Sequence, residues 1–164
     1  MPIMLRGIEG IQAYAGFELG RSTWVEVSPE MIHAFASVTD DRDRIFADDE
    51  RNRHGACAGS VANGYLLIGL MNSMLRDIYL LEATEPARVC GINRLRFLAP
   101  VPASSSIRLD ARLISFDATE EGGRLTLQCT MECDASKGLV LEAEVVYRFM
   151  WSSRALEPFA ARSA

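Results

Sequence analysis

Lysine is nearly missing from this chain: Lys137 stands alone among seventeen basic residues, the rest being arginine. Twenty-two acids outnumber these bases, and the formal charge of −5 leaves no basic stripe to offset phosphate repulsion, which argues against a nucleic-acid partner. Arginine's planar fork suits phosphate, but an arginine-rich composition equally reflects coding bias. Only two histidines occur, His33 and His54. The four cysteines (Cys57, Cys90, Cys129, Cys133) form no Cys-x-x-Cys pair and have no histidine at metal-ligand spacing, so neither a metal site nor a cofactor is expected. Cys129 and Cys133 lie four apart in a strand-like run, on one face but too distant for an easy bridge. Buried free thiols in a reducing cytoplasm are the expectation.

Also lacking is an apolar run of membrane-spanning length. Val61 to Leu75 falls short of the roughly 20 residues needed, and Asn63, Asn72, Arg76 and Asp77 interrupt its surroundings, so no membrane association is expected. The start, Met1-Pro-Ile-Met-Leu-Arg6, has no charged segment leading into an apolar stretch, and no secretory leader is expected. Neither an internal repeat nor an interdomain linker is visible.

What is present fits one domain. The chain has 164 residues, 49% hydrophobic and 24% charged, enough to bury roughly 70% of its unfolded surface. Short strands are expected at Phe17–Leu19 and Ser22–Val27, broken at Gly20. Ser28-Pro29-Glu30 is a helix start: serine caps, proline tolerates the first position, and glutamate meets the positive dipole end. That helix should run to about Val38 with Met31, Ile32, Phe35 and Val38 on one side. Thr39 to Ala58 is polar and aperiodic, and irregular segments of such length usually serve function. Gly59 to Leu81 is the most apolar stretch, a helix greasy nearly all round and therefore buried. Strand-like runs follow at Val89–Leu98, Ile107–Phe116, Arg124–Asp134 and Val140–Met150, with turn signals at Pro100-Val-Pro102 and Glu121-Gly-Gly123. In the second run Ile107, Leu109, Ala111 and Leu113 alternate with Arg108, Asp110, Arg112 and Ile114, which predicts one buried face. The fold class is therefore α+β: an antiparallel sheet, wet on one side, curled around one long central helix. Its edge strands invite pairing with a second copy. After Trp151 a polar tail, 151–164, is expected to be loosely held.

Three segments resemble one family. Phe35-Ala-Ser-Val-Thr39-Asp-Asp41-Arg-Asp43-Arg-Ile45-Phe46-Ala-Asp48 is similar to the signature of MaoC-like and R-specific enoyl-CoA hydratases. Ser60-Val-Ala-Asn63-Gly64-Tyr-Leu resembles that family's Ile-Ala-His-Gly-Phe-Leu, with Gly64 18 residues after Phe46. Asn93-Arg94-Leu-Arg96-Phe97-Leu-Ala-Pro100-Val101 resembles the strand leaving the pocket. The resemblance spans roughly residues 17 to 150 and implies a hot-dog fold over residues 1–150, acting on an acyl thioester carried by coenzyme A or a carrier protein, as a homodimer or a hot-dog heterodimer.

In that family an aspartate and a histidine hold one water beside the central helix, and a backbone N–H at the helix start polarises the thioester carbonyl. Carried over, the aspartate is Asp41, the glycine before it is Asp40, the Asn or Gln position is Asp43, and the histidine falls on Phe46. The second histidine is Asn63, and Gly64 is retained. Phenylalanine can neither give nor take a proton. His54, eight residues after Phe46, either returns toward Asp41 as its partner or is a solvent-exposed loop histidine. His33 is expected at the helix surface. Asp41 is a catalytic base or a turn residue. Asn63 orients a carbonyl or caps the helix. Asn72, polar within an apolar helix, faces the acyl pocket or makes a structural hydrogen bond. Arg88, Arg94 and Arg96 meet coenzyme A phosphates or form a solvated strand face. The catalytic candidates are thus Asp41 and His54, and the substrate-binding candidates Asn63, Gly64, Phe46 and Asn72. The resemblance implies hydration of an enoyl group or its reversal. A non-catalytic subunit serving an active hot-dog partner, or a thioesterase relying on Asp41 alone, are the alternatives.

Overall fold

The computed structural model describes residues 1–41 and 60–152. Phe46, His54, most of the aperiodic stretch and the tail from residue 153 lie outside the described residues.

In chain order the elements are β1 (Ile3–Arg6), α1 (Gly7–Gln12), β2 (Glu18–Arg21), β3 (Val25–Val27), α2 (Pro29–Thr39), α3 (Gly64–Ile78), β4 (Tyr79–Glu82), β5 (Arg88–Phe97), β6 (Ser105–Ala118), β7 (Gly122–Cys133) and β8 (Leu139–Met150). Six strands form an antiparallel sheet in the order β2-β6-β7-β8-β5, with β3 also paired to β6. The expected early strand pair is corrected in one respect: β2 and β3 lie end to end along β6 rather than against each other. Gly20 does not end a strand but sits inside β2, where a register shift demands its φ of +125°. A small parallel pair, β1 with β4, was not foreseen.

The long strands obey period two. Ile107, Leu109, Ala111 and Leu113 of β6 are buried, as are Leu125, Leu127, Cys129 and Met131 of β7 and Leu141, Ala143, Val145, Tyr147 and Phe149 of β8. Across the other face, Arg108 donates to Glu132 at 2.7 Å because β6 and β7 place them directly opposite. Arg108 also stacks over the Trp24 ring at 4.5 Å. Burial pushes the Cys129 thiol up to about 12, leaving it a small hydrophobe.

The concave apolar face receives α3 through Leu66, Leu67, Met71, Met74, Leu75 and Ile78, all part of one core with the sheet. Burial here is on one side only. Tyr65, Gly69, Asn72 and Arg76 form an exposed stripe, so the expectation of a helix buried all round is corrected. The spacing of four, three and four residues explains this: it is the far face of a helix.

As expected, Ser28 caps α2, accepting from the Met31 N–H at 3.2 Å with Pro29 at the first position. Its inward face is Ile32 and Ala36. Val38, expected inward, is 86% exposed because it stands two residues, about 200°, round the helix from buried Ala36. The helix stops at Asp40 in the left-handed region (φ 56°), with its N–H returned to the Ala36 carbonyl. Side chains with a Cβ are strained there. Accordingly Asp40→Ala should be less stable than Asp40→Gly by about 1 kcal/mol in urea unfolding, since only glycine relieves the strain.

Candidate active site

Two helix ends and one strand end meet at a cleft of about 920 Å³. α2 delivers Phe35, Thr39 and, just past its cap, Asp41; α3 delivers Asn63, Gly64 and Tyr65; Phe97 to Val101 close the far wall. The entry into α3 is pinned. Ala62 donates to the Val101 carbonyl at 2.9 Å, Ala103 donates to the Ser60 carbonyl at 2.8 Å, and Val61 bridges Pro102. The start of α3 therefore has little freedom relative to the wall opposite.

Asn63 ties the site together through both ends of its amide. Its Oδ1 accepts from the Tyr65 N–H at 2.8 Å, capping α3, and its Nδ2 donates to Asp41 Oδ2 at 3.1 Å. Of the two roles open to Asn63, capping is realised, and the same side chain also holds the carboxylate. Asp41 itself donates its backbone N–H to the Ala36 carbonyl at 3.0 Å, so it belongs to the end of α2 as well as to the cleft. A partly buried carboxylate thus stands at the positive end of a 15-residue helix, where the dipole favours negative charge.

Gly64 has a steric reason to be glycine. A Cβ there would lie 2.7 Å from Phe97 Cζ and 2.8 Å from Cε1, so the ring rests on bare backbone at the helix start. The Gly64 N–H forms no hydrogen bond among the described residues, whereas the next three amides are satisfied by Asn63. Gly64 therefore lines the cleft that holds Asp41 with an amide unpaired among the described residues.

The structure brings Asp41, Asn63 and Gly64 together and separates Asn72 from them. Asn72 accepts from the Tyr147 hydroxyl at 3.1 Å and lines a second cavity further along α3. His33 is exposed on α2, with Nδ1 against the Pro29 carbonyl at 2.8 Å. Arg94 pairs with Glu144 at 3.2 Å, and none of Arg88, Arg94 and Arg96 lines either cavity. Among the described residues no cluster of histidine, cysteine and acid could hold a metal. Sequence reasoning missed Phe97 and Thr39 as walls; the bare Gly64 was the available signal for a ring packed on backbone.

The fold agrees with the comparisons. The MaoC like domain matches residues 11–124, and the chain belongs to that family. The 3-hydroxyacyl-thioester dehydratase Z of Mycobacterium tuberculosis is 28% identical over 144 residues, covering 87% of this chain and 95% of that one. Among solved structures, a monoamine oxidase regulatory protein from Archaeoglobus superposes with a TM-score of 0.69 at 22% identity, covering 92% of this chain and 99% of the other. An (R)-hydratase from A. caviae involved in PHA biosynthesis gives 0.64 at 18% identity, covering 81% and 94%. The fold is the hot-dog fold of these proteins, an α+β domain with its sheet around a central helix.

The shared amide of Asn63 makes a separable prediction. Asn63→Ala should lose the cap, about 1 kcal/mol in thermal or urea unfolding, together with the Asp41 contact. Asn63→Ser should keep most of the stability, because serine caps, while still releasing Asp41; equal stability loss in both variants would refute the dual role. Gly64→Ala should displace the Phe97 ring and weaken ligand binding in the cleft more than it lowers the melting temperature.

Proposed function

We propose that this protein is a hydratase or dehydratase of acyl thioesters, adding water across an enoyl double bond or removing it from a 3-hydroxyacyl group. The observation that carries this reading is the Asp41 carboxylate, held by Asn63 in the same cleft as Gly64, whose N–H has no hydrogen-bond partner among the described residues. The similarity to a 3-hydroxyacyl-thioester dehydratase supports it. In hydration, Asp41 takes a proton from water, whose oxygen bonds to the β-carbon. The double-bond electrons move toward the thioester carbonyl, and Gly64 N–H donates to the oxygen that gains charge. The α-carbon then receives a proton from an imidazolium, and the proton held by Asp41 returns to that imidazole through water, so that one water is added overall. In the family pattern a histidine at the position of Phe46 handles that proton, and His54 is the remaining imidazole able to do so; both lie outside the described residues.

The carrier is coenzyme A or a carrier protein. Pairing with a second hot-dog chain, identical or related, is supported by β5: its outer edge has no neighbouring strand among the described residues, and Val89 and Phe97 on it are half exposed. A reducing cytoplasm suits the free thiols of Cys90, Cys129 and Cys133.

The test mixes the full chain with a short enoyl-CoA and follows enone absorbance and free thiol together. Loss of the enone without thiol release is expected, and Asp41→Asn should slow it by about 10²–10⁴-fold. Thiol release with the enone intact would transfer Asp41 to thioester hydrolysis, and activity only after adding a related hot-dog chain would make this a supporting subunit. Phe46→His should raise hydration by a factor of the same order, about 10²–10⁴. No rise in a folded variant would show that Asp41 is not the water base.

A further inference from the structure

About 12 Å along α3 from Gly64, as set by the helical rise, lies the second cavity, about 430 Å³ in volume. Leu75 and Leu81 supply apolar wall; Asn72, Arg76, Tyr79 and Tyr147 supply the polar side. Asn72, Arg76 and Tyr79 each offer a hydrogen-bond donor there. Tyr147 donates to Asn72 Oδ1, which leaves the Asn72 Nδ2 hydrogens without a partner among the described residues. Arg76 forms neither an ion pair nor a hydrogen bond among the described residues, yet its charge acts on the Tyr147 hydroxyl.

Tyr79 is the telling group. The residue is 7% exposed and its hydroxyl makes no hydrogen bond among the described residues. No fully enclosed side-chain oxygen or nitrogen among the described residues lacks a partner, so this hydroxyl opens onto the cavity. Burial raises the Tyr79 phenol well above its ordinary range and the Tyr147 phenol to about 12, so both stay protonated. A hydroxyl open to a cavity takes its hydrogen-bond partner from whatever fills that cavity, water or a ligand. Glu85 is the one acid lining the cavity, and it forms no ion pair with Arg76. The C-terminal dipole of α3 weighs against an anion here, and the Arg76 guanidinium offsets it at short range.

We propose that this second cavity binds the carboxylate of a short aliphatic acid, with Arg76, Tyr79 and Asn72 donating to its oxygens and Leu75 and Leu81 covering its chain. Such a carboxylate has two sources. It is either a free acid or the far end of a thioester whose reactive end lies beside Asp41, and only the second rests on the function proposed above.

The test is a calorimetric or NMR titration of the full chain with hexanoate, using 1-hexanol as the neutral match. Saturable binding of hexanoate is expected, at least tenfold tighter than hexanol. Arg76→Gln and Tyr79→Phe should each weaken it at least tenfold, whereas Asp41→Asn should leave it unchanged. Thermal melts establish that the variants are folded. Absence of saturable binding, equal binding of hexanol, or binding that survives both Arg76→Gln and Tyr79→Phe would overturn the site. A second arm adds an enoyl-CoA ending in a carboxylate or in a methyl group. Displacement of hexanoate by the carboxylate-ended thioester alone identifies the substrate's far end; displacement by neither identifies a free acid, and the site stands in both cases. These readouts need no turnover, so an inactive enzyme would defeat the hydratase reading without touching this one.

Discussion

The constraint that organises the molecule is the burial of one face of α3 against the single apolar face of a curved antiparallel sheet. Six α3 side chains from Leu66 to Ile78 enter the same core as the inward residues of β6, β7 and β8. Burial of this kind is non-directional, but it fixes the helix axis and its rotation because the opposite face must stay polar. Once the axis is set, the tip of the helix has to emerge at one end of the sheet, and the hydrogen bonds of Ser60 and Ala62 to the Val101–Ala103 segment lock it there. The cleft is a consequence of that placement rather than an independent feature.

Asn63 converts placement into chemistry. One side chain caps a helix whose first amides need a partner and steadies a carboxylate arriving from another helix. Gly64 adds a bare backbone on which Phe97 packs and an amide with no hydrogen bond among the described residues.

The two cavities along α3 divide the polar work. The cleft at its tip places an acid and the first backbone of the helix on a partly apolar wall; the cavity beyond Asn72 is lined by Asn72, Arg76 and two tyrosines, with Glu85 its one acid. Both are reached from the exposed stripe of the helix, the side that the sheet does not cover. Keeping Asn72 and Arg76 on that stripe costs the core nothing, because the neighbouring positions that face the sheet are Met71, Met74 and Leu75.

Local pattern was enough for much of this. The alternation in Ile107–Leu113, the Ser28-Pro29 cap and the apolar stretch around α3 are rules of one strand or one helix, written in neighbouring residues, and α+β architecture follows from them. The order of motifs also pointed to Asp41, Asn63 and Gly64, which line one cleft in the structure. Only the tertiary structure decided that Asn63 reaches back across 22 positions to Asp41, that Asn72 belongs to a different cavity, and that Val38 turns outward. The physical reason is the same in each case: periodicity tells which face of an element is greasy, whereas the partner of a polar side chain depends on where another element ends in space, and that is settled by packing.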